Sequence, residues 1–343
     1  MLLSDYRPQS MMSARGSPVD HPRFPVFEAH SHLELLGGDW PNRPLSELID
    51  VMEQAGVKSL IDLDGAWGEE LVYRHIDHFK SRAPERFHIF GGIDFDAWPD
   101  HGDGFGEWAA GRLRVQVQRG AEGLKVWKNL GLHVTDQHGQ RVRINDPRLE
   151  PVWLTAAELH IPITMHIADP VAFFQPLDAT NERWEELQAN PDWHFPSPTY
   201  PPFLSLVEDM ADVVRRHPQV TFIGAHAGCY AENLGWVGSL MDECPNFYMD
   251  ISARIAELGR QPYTCRRFFL THSDRILFGT DTGGVSPDFN AIHYRFLETD
   301  DEYFPYGPGS VPGQGRWNIY GLYLPDDVLE KVYHRNAEAL FGG

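Results

Sequence analysis

The stretch PVFEAHSHLEL, residues 25–35, places His30 and His32 one residue apart at the end of an apolar run. Side chains of a β-strand alternate between its two faces. The two imidazoles then point the same way, with Ser31 opposite. Two imidazoles aimed at one point suit half of a metal site. A strand end with two solvated histidines is the plainer alternative, because short histidine patterns recur by chance.

Working outward, seven further apolar runs follow: SLIDLDG (59–65), FHIFGGIDF (87–95), EGLKVWK (122–128), IPITMHIA (161–168), VTFIGAHAG (220–228), NFYMDIS (246–252) and RILFGTDTG (275–283). Between them lie segments such as PLSELIDVMEQAG (44–56) and FLSLVEDMADVVRRHP (203–218). Their apolar residues recur at spacings of three and four, the pattern of an amphipathic helix. Gly56 and Pro218 mark stops. Eight strands alternating with helices predict an α/β fold, a (β/α)8 TIM barrel. A doubly wound sheet would bring a glycine-rich nucleotide loop after its first strand, and HSHLELLGGDW is not one.

Residues 1–24 are polar and rich in Pro, Ser and Arg, and are expected to lie as an arm on a single domain spanning 25–343. Two connections are long for βα loops, one after strand 5 (about 169–202) and one after strand 8 (304–321). Both are rich in aromatic residues and proline. They are expected to be lids or pocket walls, with packed insertions or an oligomer contact as the alternative.

The net charge is −20, which disfavours nucleic acid as a partner because its phosphates would be repelled. A locally basic site can still take an anionic small molecule. Three cysteines without a CxxC make a disulfide framework or a cysteine-rich zinc site a poor fit. No apolar run approaches the length of a membrane span, and the N-terminus has no sustained apolar stretch; a cytoplasmic protein is expected.

Each of five polar residues follows an apolar run and precedes a loop: His30 and His32 after strand 1, His166 after strand 5, His226 after strand 6 and Asp281 after strand 8. In a barrel, these strand ends converge on one mouth. Four imidazoles and a carboxylate gathered there are costly to desolvate without a shared purpose, and a metal ion supplies one.

In these residues, in GAHAG and GTD, and in the closing NAEALFG (336–342), the chain resembles the amidohydrolase superfamily. Within it, the chain is similar to the amidohydrolase 2 branch. That branch includes aminocarboxymuconate-semialdehyde decarboxylase, resorcylate-type decarboxylases and pyrone dicarboxylate lactonase. The resemblance implies that His30, His32, His166 and Asp281 bind one divalent metal, with zinc favoured and manganese the alternative. It implies catalytic roles for His226 and Asp281, a small-molecule substrate and a homo-oligomer.

The favoured reading is a hydrolase that uses metal-activated water on a carboxylated or aromatic amide, ester or lactone. The alternative is a metal-dependent non-oxidative decarboxylase, and an inactive barrel serving as a binding protein is the third. Lys125 has three readings: a carboxylated bridge between two metals, a grip on a substrate carboxylate, or a partner for Asp62 or Asp64. Lys128 is expected on the opposite strand face. Arg254, Trp40 and Arg183, with Trp184, are further candidates for substrate contact. Asp250 is a candidate for orienting a ligand histidine.

Overall fold

The computed structural model describes residues 1–343 except 3, 4, 7, 9, 15, 308–312 and 343. Parts of the arm and of the 304–321 segment therefore lie outside the described residues.

Eight strands pair in sequence order, all parallel: β1 (Val26–Ser31), β2 (Val57–Asp62), β3 (Phe87–Gly92), β4 (Gly123–Val126), β5 (Ile163–Met165), β6 (Phe222–Gly224), β7 (Phe247–Asp250) and β8 (Ile276–Leu277). Backbone bonds from Ala29 N to Phe278 O, Asp281 N to His30 O and His32 N to Thr282 O join the last strand to the first. The sheet is thus the expected (β/α)8 barrel.

Its helices are α1 (Leu45–Ala55), α2 (Glu69–His75), α3 (Phe105–Arg119), α4 (Glu150–Leu159), α5 (Phe203–Arg216), α6 (Leu234–Glu243), α7 (Pro262–His272) and α8 (Pro287–Glu298). On α5 the buried Leu206, Val207, Met210, Val213 and Val214 form the stripe that its spacing demands. Helix α1 stops where Gly56 takes φ 73°, a left-handed cap that glycine adopts without steric cost.

A smaller apolar cluster fills the barrel interior with Phe27, Ala29, Ile61, Leu63, Phe90, Ile223 and Leu277. Phe341 of the closing helix, Asn336–Phe341, packs onto it, 5.8 Å from Phe27 ring to ring. The described end of the arm is tied down: Ser17 N donates to Asp301 and Arg23 N to Glu298.

One expectation needs correction. The 304–321 segment is not the loop directly after β8; α8 follows β8 first, and the long segment comes after it. His30 and His32 face the same way, as expected, although the alternation is interrupted earlier in β1. A register shift between Glu28 and Ser31 marks a bulge. Ala29 packs into the interior, and His30, the next residue, also faces inward, 3.3 Å from Lys125 Nζ. Bulges re-aim side chains in this way. Glu28 instead accepts bonds from Thr280 N and Oγ1.

Candidate metal centre

All five predicted residues meet at the mouth. His30 Nε2 lies 3.5 Å and His32 Nε2 3.2 Å from Asp281 Oδ1. His226 Nε2 lies 3.9 Å from Asp281 Oδ2 and 3.1 Å from His166 Nδ1. The backbone is bent to achieve this. Asp281 sits at φ 64°, and His226, Ala227 and Cys229 at 59°, 57° and 59°, conformations that cost non-glycine residues on the order of 1 kcal/mol each. Asp250 Oδ1 helps to hold the turn by accepting from His226 N at 2.9 Å.

The other nitrogen of each imidazole is engaged by an oxygen. His30 Nδ1–H donates to Asp250 at 2.8 Å and His32 Nδ1–H to Asp64 at 2.8 Å. His166 Nε2–H donates to Asp169 at 3.1 Å and His226 Nδ1–H to the Ser252 carbonyl at 3.0 Å. These bonds set the tautomers, leaving the inward nitrogen of each neutral ring as an acceptor; Lys125 Nζ lies 3.3 Å from that of His30. Ligand atoms of His30, His226 and Asp281 lie within 4.8 Å of one another, and His32 Nε2 and His166 Nδ1 border this group. One lysine does not balance so many buried acceptors. A divalent cation bound by nitrogen and oxygen fits this donor set, and outward bonds to carboxylates or carbonyls are how ligand histidines are held.

Without a cation, protons must serve. Burial pushes His32 down, but its bonds to Asp281 and Asp64 carry it up to about 9. Burial carries His166 down to about 3 and His226 well below the ordinary range.

The centre opens into a cavity of about 780 Å³. Trp67, Trp127, Phe173, Trp193 and Phe195 supply its aromatic lining. Trp67 meets His32 edge-on at 5.5 Å, and Trp127 meets His166 at 4.8 Å. Arg254 lines the cavity while only 7% exposed. Its NH1 donates to the Ala253 carbonyl, and among the described residues no carboxylate pairs with it within 4 Å.

Other candidates settle differently. Arg183 lines the cavity, but Glu186 and Glu257 both bind its guanidinium. Trp40 is not among the lining residues; it is buried and donates Nε1–H to Gly283 O at 2.8 Å. Lys125 is also absent from the lining. It sits in the barrel under His30, where burial lowers it to about 8. Lys128, expected on the far face, lines the cavity and pairs with Asp169, because β4 ends at Val126 and alternation stops there.

Asp169 and Ser252 were not singled out from the sequence, and Asp64 was read only as a partner for Lys125, although each lies within three residues of a strand end or site histidine. Their signal was adjacency, which a periodic pattern does not rank. The aromatic pair Trp67 and Trp127, 4.7 Å apart, likewise comes from two different strand ends.

Comparison with known proteins agrees with this architecture. No curated protein matches the chain in sequence. The 2,6-dihydroxybenzoate decarboxylase from Rhizobium is similar in structure, with 16% identity and a TM-score of 0.58 over 93% of this chain and 98% of that one. A dihydroxybenzoic acid decarboxylase from Polaromonas sp. JS666, with bound manganese and 2-nitroresorcinol, matches at 18% identity and TM-score 0.56, covering 93% and 97%. The 5-carboxyvanillate decarboxylase from Sphingomonas paucimobilis matches at 13% and 0.52, covering 93% and 99%. At such identities the likeness speaks for the barrel. The sequence profile of the amidohydrolase family goes further, running from the turn after β3 through the closing helix, residues 95–343, and the chain belongs to that family.

Proposed function

We propose that the protein is a metal-dependent carboxy-lyase that removes CO₂ from a small aromatic carboxylic acid. The observation that carries this reading is the cavity itself, in which aromatic walls and the unpaired Arg254 stand over the histidine and aspartate cluster. The decarboxylases among the structural relatives support it. They support this alternative at least as well as the hydrolase favoured from sequence.

His30, His32, His166 and Asp281 would hold the ion, and zinc or manganese suits their nitrogen and oxygen donors. When bound, the ion supplies a Lewis acid for the substrate's oxygens. Arg254 pairs with the substrate carboxylate, and its planar fork suits two parallel hydrogen bonds. Trp67 and Trp127, already in contact with each other, form one wall against which the ring packs by offset stacking. Asp281, with His226 beside it, takes a proton from water and passes it to the ring carbon. The C–C bond breaks, its electron pair stays on the ring carbon, CO₂ departs and a C–H bond forms.

The test is a panel of hydroxylated benzoates, esters, amides and lactones given to the zinc- or manganese-loaded protein in ¹⁸O-water. CO₂ release without ¹⁸O in the aromatic product is expected. Turnover of an ester, amide or lactone with ¹⁸O incorporated and no CO₂ would overturn the carboxy-lyase. No turnover and no retained metal would leave a binding protein.

A further inference from the structure

A second buried cluster lies one layer outside the centre. Asp62, Asp64 and His75 bring carboxylate oxygens and an imidazole nitrogen within 4.8 Å of one another, and all three are fully buried. Their bonds account for these atoms. Asp62 Oδ2 accepts from His75 Nδ1 at 2.8 Å, and Asp62 Oδ1 accepts from Leu33 N at 3.1 Å and Asp64 N at 3.4 Å. Asp64 Oδ1 accepts from His32 Nδ1, and its Oδ2 accepts from Glu34 N at 2.7 Å and Leu35 N at 3.3 Å. His75 Nε2 reaches Glu34 Oε2 at 3.2 Å, and Arg74 covers that carboxylate from outside.

The chain therefore closes on itself around His32. One arm runs from His75 through Asp62 to the backbone just after His32. The other runs from His75 through Glu34 to Asp64, which holds the His32 ring. His75 joins both arms, and it comes from helix α2 rather than from any strand end. Two neighbouring buried carboxylates repel each other, and an imidazole against one of them offsets that cost.

We propose that His75 is a positioning residue for the metal ligand His32, acting through Asp62 and Glu34 to hold Asp64 and the 33–35 backbone. This rests on His32 being a metal ligand, as proposed above. The cluster is a support and not a second metal site, because its oxygens already accept bonds from the chain.

The experiment loads the full-length protein with Co²⁺ and measures the visible absorption bands and the Co²⁺ affinity by chelator competition. His75→Asn keeps a donor near the Nδ1 position and faces Asp62. His75→Gln keeps one near Nε2 and faces Glu34. His75→Phe keeps neither. His75→Phe is expected to lower affinity by roughly tenfold, the low end for outer partners of metal ligands, and to shift the bands. His75→Asn should recover most of both. Glu34→Ala, which removes a partly exposed group, should weaken binding by less than His75→Phe and covers the case of an unfolded His75 variant.

Wild-type affinity and bands in Glu34→Ala and in every folded His75 variant would overturn the inference. So would a second equivalent of Co²⁺ that disappears with His75. His32→Ala separates the two claims: if it keeps wild-type Co²⁺ binding, the metal assignment itself fails. If it loses Co²⁺ while the His75 variants do not, only the positioning role fails.

Discussion

On the cavity floor, each imidazole is bonded on its outward nitrogen to an oxygen, from another element for His30, His32 and His226 and from its own loop for His166, and the strand ends that carry the rings are fixed by the barrel's own hydrogen bonds. The roof is made differently. The segment after β5 is stitched by ion pairs to the turn after β7, through Arg183 with Glu257 and Arg260 with Glu182, and to the segment after α8, through Arg316 with Glu185; Glu186 also pairs with Arg183. Trp317 adds a cation–π contact to Arg260 at 4.1 Å. The floor holds geometry through backbone pairing, whereas the roof holds it through side-chain charge. Loops that are not pinned by a sheet adapt, so the floor suits chemistry and the roof suits selection among substrates.

The largest expected effect tests the floor. His166→Ala removes an inward lone pair and frees Asp169 and Lys128, so metal retention should fall by more than about 100-fold. Elemental mass spectrometry on folded protein checks it, and full occupancy in that variant would falsify the assignment.

Next comes the roof. Arg183→Ala leaves Glu257 buried without its cation, which should cost about 3–5 kcal/mol. Denaturant titration measures this, and a loss confined to the roof would also appear as faster proteolysis between residues 169 and 202. Equal protection across floor and roof would erase the contrast.

Acid should act behind the floor. His293 on α8 is fully buried; its Nδ1–H donates to Phe289 O, and Nε2 has no partner among the described residues. Burial lowers it to about 4, whereas an unfolded histidine takes its proton near pH 6.5. Between those values the unfolded chain binds the extra proton. Stability therefore falls as pH drops from about 6.5 to about 4, by on the order of 3 kcal/mol. Urea titrations with chelator at both ends of that window should show a smaller loss for His293→Gln than for wild type.

The smallest expected effect returns to the cavity. Arg254→Gln removes the unpaired cation while leaving the fold intact, and should raise KM for a carboxylate substrate by about tenfold, a charge-assisted bond being worth about 1.5 kcal/mol. An unchanged KM would remove Arg254 from substrate recognition.

Much of this was legible from residues 25–35 and the seven runs after them. Periodicity marked each strand and the helices α1 and α5, because burial imposes it on the sequence directly. The five polar residues at strand ends could be grouped because a parallel barrel sends all those ends to one face. Periodicity misled where the backbone departs from regularity. The early end of β4 turns Lys128, expected on the far face, into the cavity.

By itself, then, the sequence determined the barrel and the identity of its five convergent residues, since both follow from local pattern and chain order. Tertiary structure alone decided which oxygen backs His30, His32 and His226, that Arg183 is paired with carboxylates while Arg254 is not, and that His75 reaches the centre from a helix. Those outcomes depend on contacts between segments far apart in sequence, such as His30 with Asp250 and Arg183 with Glu257, and no periodicity encodes which distant partners meet.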